Sequence, residues 1–221
     1  MKKSNSKMVI IISCINIILV FLVISLLKYY KLLPDRKYTN KHFNIETYKS
    51  SVDKDLDKID DQTDIILGAR EYIKKKPKYK SKYYNGGFPT DNYGVCTDVV
   101  INSLLSAGYN LKELVDKDIK ENKEKYNIEK VDSNIDFRRV KNLKIYLDNN
   151  AIKLTTNIYE IEKWQGGDIV VFKKHIGIVS DKRNKKGISY VIHHSNIAQI
   201  YYEEDILGNR EEDIIGHYRI N

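Results

Sequence analysis

The chain has 221 residues, which is enough for one full domain and an anchor but not for two large domains. Hydrophobic residues make up 42% and charged residues 31%, with only 3 prolines, and this composition excludes an intrinsically disordered chain. The formal net charge is +8, but eight Lys or Arg residues and one Asp fall within residues 1–41, so +1 remains for the other 180 residues. Nucleic-acid affinity requires positive charge on the folded surface, so we expect no nucleic-acid partner.

Residues 8–28 are predicted to form a single transmembrane helix that acts as a signal anchor. The run from Met8 to Leu27 contains no charged residue, and about 20 apolar residues span a bilayer. No small-x-small cleavage site follows it, which favours an anchor over a cleaved signal peptide. More Lys and Arg residues follow the apolar run than precede it, and by the positive-inside rule this opposes a domain outside the cytoplasm. A short basic N-terminus before a long domain, however, favours an external domain. We expect residues 1–7 to form a cytoplasmic tail.

Residues 29–60 are polar and charge-rich, which predicts a stalk, and a folded domain is expected over 61–221. Residues 84–89 contain two glycines and a proline and are predicted to form a loop. Apolar residues at helical spacing predict helices over about 61–74, 96–107, 111–125 and 135–149.

After residue 150 the apolar residues alternate with a period of two, which is typical of short strands. Helices followed by consecutive strands predict an α+β domain with an antiparallel sheet. The predicted strands are Asp168–Phe172, His175–Ser180, Ser189–His193, Gln199–Tyr202 and Gly216–Ile220.

Cys96 is the candidate nucleophile. The other cysteine, Cys14, lies in the apolar run, where a small apolar side chain is expected. Cys96 stands where a glycine-bearing loop enters a helix, and a helix N-terminus lowers a thiol pKa and offers N–H groups to an oxyanion. Asp98 would oppose thiolate formation if it lay close. The alternative is that Cys96 only packs as a small hydrophobe on the helix.

His175 is the candidate base because it begins an apolar strand and can be held rigidly at a strand edge. His193 ends the next predicted strand, and a hairpin would bring the two rings side by side. One histidine would then be the base while the other holds its ring in the required tautomer. A purely structural histidine is the alternative for each.

A cysteine at a helix start, then Gly-Asp-Ile-Val-Val-Phe, then His-Ile-Gly-Ile-Val and Val-Ile-His-His-Ser, resembles the NlpC-type branch of the papain-like cysteine peptidases. More closely, the chain is similar to a bacterial family of unknown function within that superfamily. The resemblance implies a papain-like NlpC-type fold, with N-terminal helices packed on an antiparallel β-sheet. The stretches that carry it are Gly94–Val100, Asn134–Val140, Trp164-Gln165, His175–Asp181, Glu203–Leu207 and Gly216–Arg219.

The resemblance implies that Cys96, His175 and His193 are the catalytic residues. The usual His-Asn pair of the family is His193-His194 here, so the third member is either His193 or a neighbouring polar group. His193, His194 and His217 with Glu203 or Asp205 do not have the ligand spacing of a zinc site, so we expect neither a metal nor a cofactor. Six further residues are candidates for substrate binding: Tyr84, Gly87, Thr97, Asp98, His194 and Asn196.

The sequence thus predicts a cysteine peptidase or amidase that acts through a thioester. The superfamily resemblance implies that the substrate is an amide in peptidoglycan, with the domain held by its single-pass anchor on the extracytoplasmic side of the bacterial cell membrane. Two alternatives stay open: a thiol acyltransferase or lipid hydrolase of the same fold, and a catalytically silent domain that binds the cell wall.

Overall fold

The computed structural model describes residues 2–30, 32–33 and 35–220, and it divides into two compact units, Met1–Arg36 and Lys37–Asn221. The first unit contains helix α1, Lys2–Tyr29. Within it, Lys7–Tyr29 is long and apolar enough to cross a membrane, as the sequence predicted, although a signal sequence would have the same length and composition.

The second unit begins with a largely helical half. Helix α2 starts at a favourable cap, because the Asp60 carboxylate accepts the Thr63 N–H at 3.2 Å and Asp61 and Asp64 lie in the first turn. Helix α3 is followed by Gly108, whose φ of +78° suits a helix C-terminus. The helices are α2 (Asp61–Lys74), α3 (Cys96–Ser106), α4 (Leu111–Glu121), α5 (Lys123–Tyr126) and α6 (Val140–Asn150).

The strands of the second unit form one large antiparallel sheet and one small parallel pair. Within the described residues the large sheet has seven strands, in the order β4-β9-β5-β6-β7-β8, with β1 paired to β6. The small pair joins β2 to β3. The strands are β1 (Tyr38–Thr39), β2 (Lys78–Tyr79), β3 (Tyr93–Gly94), β4 (Ile152–Lys153), β5 (Ile169–Phe172), β6 (His175–Arg183), β7 (Ser189–Ile192), β8 (Glu203–Glu204) and β9 (Ile214–Arg219).

Strands β5 and β7 are buried along their whole length, as is β6 from His175 to Ser180. The main core cluster joins α2, α3 and α6 to the sheet through residues such as Ile65, Val99, Leu143, Ile176 and Ile192. A second cluster contains Trp164 and Phe172. This arrangement confirms the predicted α+β class with an antiparallel sheet.

The stalk is shorter than predicted, because the compact unit begins at Lys37 and not near residue 61. Asn40 is buried, accepts a hydrogen bond from Arg183 Nε at 2.6 Å and donates one to Gln165 Oε1 at 2.9 Å. Residues 37–60 are therefore part of the domain. They pack through polar side chains, which an analysis of apolar periodicity does not detect.

The predicted strand over 199–202 is absent, and pairing with β7 occurs instead at Glu203 and Glu204. The reason is a turn after β7, in which the Gln199 side chain accepts the Ser195 N–H at 2.7 Å. The predicted helix over 111–125 is divided at Asn122, and the one over 135–149 is a short 3-10 turn followed by α6.

Candidate active site

Cys96 is the first residue of α3 and lies against the start of β6. The backbone N–H groups of Ile176 and Thr97 lie close enough to its sulfur to lower the pKa of the thiol. Because Ile176 follows His175 directly on β6, the cysteine and the histidine are neighbours in the fold. The structure thus brings together the helix start and the strand start that the sequence singled out.

His175 and His193 form a hydrogen-bonded pair. His175 Nε2 lies 3.1 Å from His193 Nδ1, and the two rings are perpendicular. Strands β6 and β7 create this contact, since Ile178 pairs with Ile192 and His193 follows at the end of β7. Both imidazoles are buried.

Glu204 extends the pair to a third group. Its Oε2 lies 3.2 Å from His193 Nε2, and it also accepts a hydrogen bond from Gln199 Nε2 at 2.9 Å. The pairing of β7 with β8, in which Val191 faces Glu204, brings the carboxylate to this position.

The order of these groups assigns the protons. A carboxylate can only accept, so the tautomer that suits Glu204 has the His193 hydrogen on Nε2, and in that tautomer His193 Nδ1 accepts from His175 Nε2. In that tautomer the Nδ1 atom of His175 is unprotonated, and no hydrogen bond joins it to another residue that the structure describes. His175 therefore presents a free basic nitrogen.

Burial controls the ionisation of the pair. It raises the pKa of the Cys96 thiol to about 11, although the Ile176 and Thr97 N–H groups act in the opposite direction. Burial, followed by the neighbouring His193, lowers the pKa of His175 to about 3. The expected lowering of the thiol pKa by the helix terminus is thus outweighed by desolvation. The Cys96 thiol and the His175 imidazole are therefore both neutral near pH 7.

Asp98 supports the helix that carries Cys96. Its carboxylate is 1% exposed, pairs with Arg138 through two contacts of 2.8 Å, and accepts the Val95 N–H at 2.8 Å. All of these contacts hold the first turn of α3. This geometry fits support of the nucleophile better than contact with a substrate.

Tyr84 and Gly87 shape the loop that precedes the nucleophile. The Tyr84 hydroxyl donates to Asp91 at 2.7 Å, and the Arg138 guanidinium lies over its ring. Gly87 has φ +91°, and a Cβ there would lie 2.8 Å from the Phe137 ring. Both residues are therefore positioned by packing in the loop.

Residues 66–220 match the family described as "Domain of unknown function (DUF1287)". The chain belongs to this family. It is also 37% identical over 168 residues to "Uncharacterized protein YijF" of Escherichia coli (strain K12), a match that covers 70% of this chain and 80% of the relative. No solved structure matches the chain. Cys96, His175, His193 and Glu204 all lie within the DUF1287 domain.

A cleft of about 570 Å³ adjoins the site in this DUF1287 domain. Two of the predicted substrate-binding residues, His194 and Asn196, line it together with Tyr79 and Tyr202. Burial, followed by the nearby Cys96, raises the pKa of Tyr79, one of the tyrosines that line the cleft. Lysines at positions 76, 78 and 80 lie along the same cleft.

Thr97 and His194 are buried beside the nucleophile and the base. Thr97 Oγ1 and His194 Nδ1 have no hydrogen-bond partner within the described part of the chain. Burial lowers the pKa of His194 to about 4, so its imidazole is neutral at neutral pH. Polar atoms of this kind are available to a bound molecule.

Sequence reasoning missed Glu204, Tyr79 and Tyr202. The alternation of lysine and tyrosine over residues 78–84 was a signal that could have indicated the cleft. Nothing local marks Glu204, because its proximity to His193 arises only when β8 pairs with β7.

Proposed function

We propose that this DUF1287 protein is a cysteine hydrolase of the NlpC-like, papain-like superfamily that cleaves an amide bond. The observation that carries the proposal is the His175–His193 hydrogen bond, with Glu204 Oε2 3.2 Å from His193 Nε2, at the strand start that lies against Cys96. A nucleophile, a base and an orienting group in this order are the parts that acyl transfer through a thioester requires.

The reaction begins when Cys96 Sγ attacks the carbonyl carbon and its proton passes to His175 Nδ1. The tetrahedral oxyanion is stabilised by N–H groups at the start of α3. When the C–N bond breaks, the amine leaves with the proton from His175, and a thioester remains. Water then attacks the thioester, His175 takes the proton of that water and returns it to Sγ, and the carboxylic acid is released.

Peptidoglycan is the proposed substrate. The resemblance to NlpC-type enzymes supports it, and α1 would hold the domain beside the wall if it spans the membrane with the short basic N-terminus inside. The cleft also fits, because its lysines complement the carboxylates of wall peptides and its tyrosines can pack on their aliphatic parts. The cleft also has apolar lining, so a lipid hydrolase or acyltransferase of the same fold is the second candidate.

The test uses the full chain in detergent, with Cys14→Ala as the parent and Cys14→Ala/Cys96→Ala as the matched control. Each protein is incubated with peptidoglycan sacculi, and soluble fragments are identified by mass spectrometry. We expect fragments only from the parent, and their masses name the bond that is cleaved. An acyl probe directed at thiols is applied in parallel. Labelling of Cys96 without fragment release would exclude the wall substrate, and the absence of both would refute the hydrolase.

A further inference from the structure

An acidic loop precedes α2 and has no part in the proposed chemistry. The carboxylates of Asp53, Asp55 and Asp57 have ligand atoms within 4.8 Å of one another, and Asp55 and Asp57 are exposed. Three like charges at this separation repel one another. The loop nevertheless holds the three carboxylates close together. Clusters of acidic residues are common on protein surfaces, so this closeness alone does not indicate a metal site.

A fourth carboxylate gives the independent observation. Asp64 lies in the first turn of α2 and is only 6% exposed, and its Oδ2 is buried without a hydrogen-bond partner among the described residues. Asp64 lies three residues after Asp61 on the same face of α2, and Asp61 accepts the Lys54 N–H of the loop at 2.8 Å, so this face of the helix is turned toward the loop. A buried carboxylate oxygen without a donor, next to other carboxylates, lacks a positive partner.

The spacing of these aspartates matches that of a known cation loop. Counted from Asp53, the acidic residues occupy positions 1, 3, 5, 8, 9 and 12, and all of these except position 8, the helix cap Asp60, are side-chain positions of the 12-residue EF-hand loop. The EF-hand loop has glycine at position 6, where the backbone turns sharply. The residue at this position is Lys58, and its φ of +78° lies in the left-handed region that glycine favours. The loop differs in having Asp64 in place of glutamate at position 12 and in lacking an entering helix.

We propose that Asp53, Asp55, Asp57 and Asp64 bind one Ca²⁺ ion. The donors are all carboxylate oxygens, which suit a hard cation, and a flexible loop with an irregular donor set suits Ca²⁺ better than Mg²⁺, which requires near-octahedral geometry. The shorter Asp64 at position 12 predicts a dissociation constant of about 10⁻⁴–10⁻³ M, the range of extracellular calcium modules.

The ion would tie the loop to the two helices at the centre of the domain. Asp61 on α2 accepts the Lys54 N–H at 2.8 Å, and a Cβ on Gly108, just after α3, would lie 3.2 Å from Asp55 Cβ. Helix α3 begins with Cys96, so the proposed ion would stabilise the C-terminal end of the helix whose N-terminus carries the candidate nucleophile. The proposal nevertheless does not depend on the hydrolase activity.

The experiment measures binding and thermal unfolding of the full chain in detergent after removal of metals with EDTA. Isothermal titration calorimetry with CaCl₂ is expected to give one site, and MgCl₂ at the same concentrations is expected to give a weaker signal. At roughly 100 times the dissociation constant, Ca²⁺ is expected to raise the unfolding temperature by about 5–10 °C. Absence of both heat and shift in up to about 10 mM CaCl₂ would overturn the proposal.

The variants Asp55→Asn and Asp57→Asn sharpen this test, with Asp116→Asn on α4 as the control for loss of one charge. Asp55 and Asp57 variants are expected to bind Ca²⁺ at least about tenfold more weakly, while Asp116→Asn binds as the parent does. In EDTA the loop variants are expected to unfold at the same or a higher temperature than the parent, because repulsion is relieved. An equal loss of affinity in Asp116→Asn, or unchanged affinity in both loop variants, would refute the site.

Discussion

Two buried histidine–carboxylate networks lie in the same sheet, and they differ in one respect. In the network of His217, each ring nitrogen has an acceptor: Nδ1 lies 2.7 Å from the Thr155 carbonyl oxygen and Nε2 lies 3.1 Å from Asp168 Oδ2. The ring also stacks on Trp164 with a centroid distance of 3.8 Å. Asp168 is further held by Arg219 Nε at 2.7 Å.

In the network of His175, Glu204 Oε2 lies 3.2 Å from His193 Nε2, His193 Nδ1 is hydrogen-bonded to His175 Nε2, and no hydrogen bond joins His175 Nδ1 to another described residue. That nitrogen belongs to the histidine next to the Cys96 thiol. The comparison teaches that a buried histidine–carboxylate pair does not by itself indicate catalysis. The informative feature is the unused hydrogen-bonding position beside a possible nucleophile.

The largest effect is expected for His175→Gln. Loss of the base should reduce kcat for fragment release from sacculi by about 10³–10⁴-fold, because the Cys96 thiol has a raised pKa and cannot ionise unaided. The rate is measured alongside unfolding in urea, which should change little. Activity close to that of the parent would remove His175 from the mechanism.

The next effect is expected for Asp168→Asn, which acts on the other network. Arg219 and His217 would lose their buried charge partner, so the free energy of unfolding should fall by about 3 kcal/mol while the rate per folded molecule is retained. Urea unfolding followed by tryptophan fluorescence measures this change. Glu71→Gln removes an exposed pair with Lys74 and serves as the control, with an expected change below about 1 kcal/mol. Loss of catalysis without loss of stability would contradict the structural role of this network.

A smaller effect is expected for Glu204→Gln, which tests how His193 is oriented. The amide oxygen can still accept the His193 N–H, so kcat should fall only about tenfold, whereas Glu204→Ala should cost about 100-fold. KM should stay unchanged in both, because Glu204 acts through His193 and not on the substrate. Steady-state kinetics on released fragments gives both constants. A rise in KM at constant kcat would instead indicate that Glu204 contacts the substrate.

Local sequence determined much of the fold and the core of the candidate site. Apolar periodicity indicated α1, α2, α3 and the buried strands, and the class followed from their order. Cys96 and His175 could be predicted from the sequence because each stands at the start of a helix or strand. The surroundings of such a position depend largely on residues that are adjacent in the sequence. His193 followed from the single hairpin that joins β6 to β7.

Tertiary structure decided the rest, because it depends on residues that are distant in the chain. Glu204 reaches His193 only through the pairing of β8 with β7, and Asp98 is neutralised by Arg138, 40 residues away. The ionisation of Cys96 was misjudged for the same reason: a helix terminus is a local feature, whereas desolvation depends on everything that packs around the thiol. Sequence therefore identified the candidate cysteine and histidines, and packing determined their ionisation and their partners.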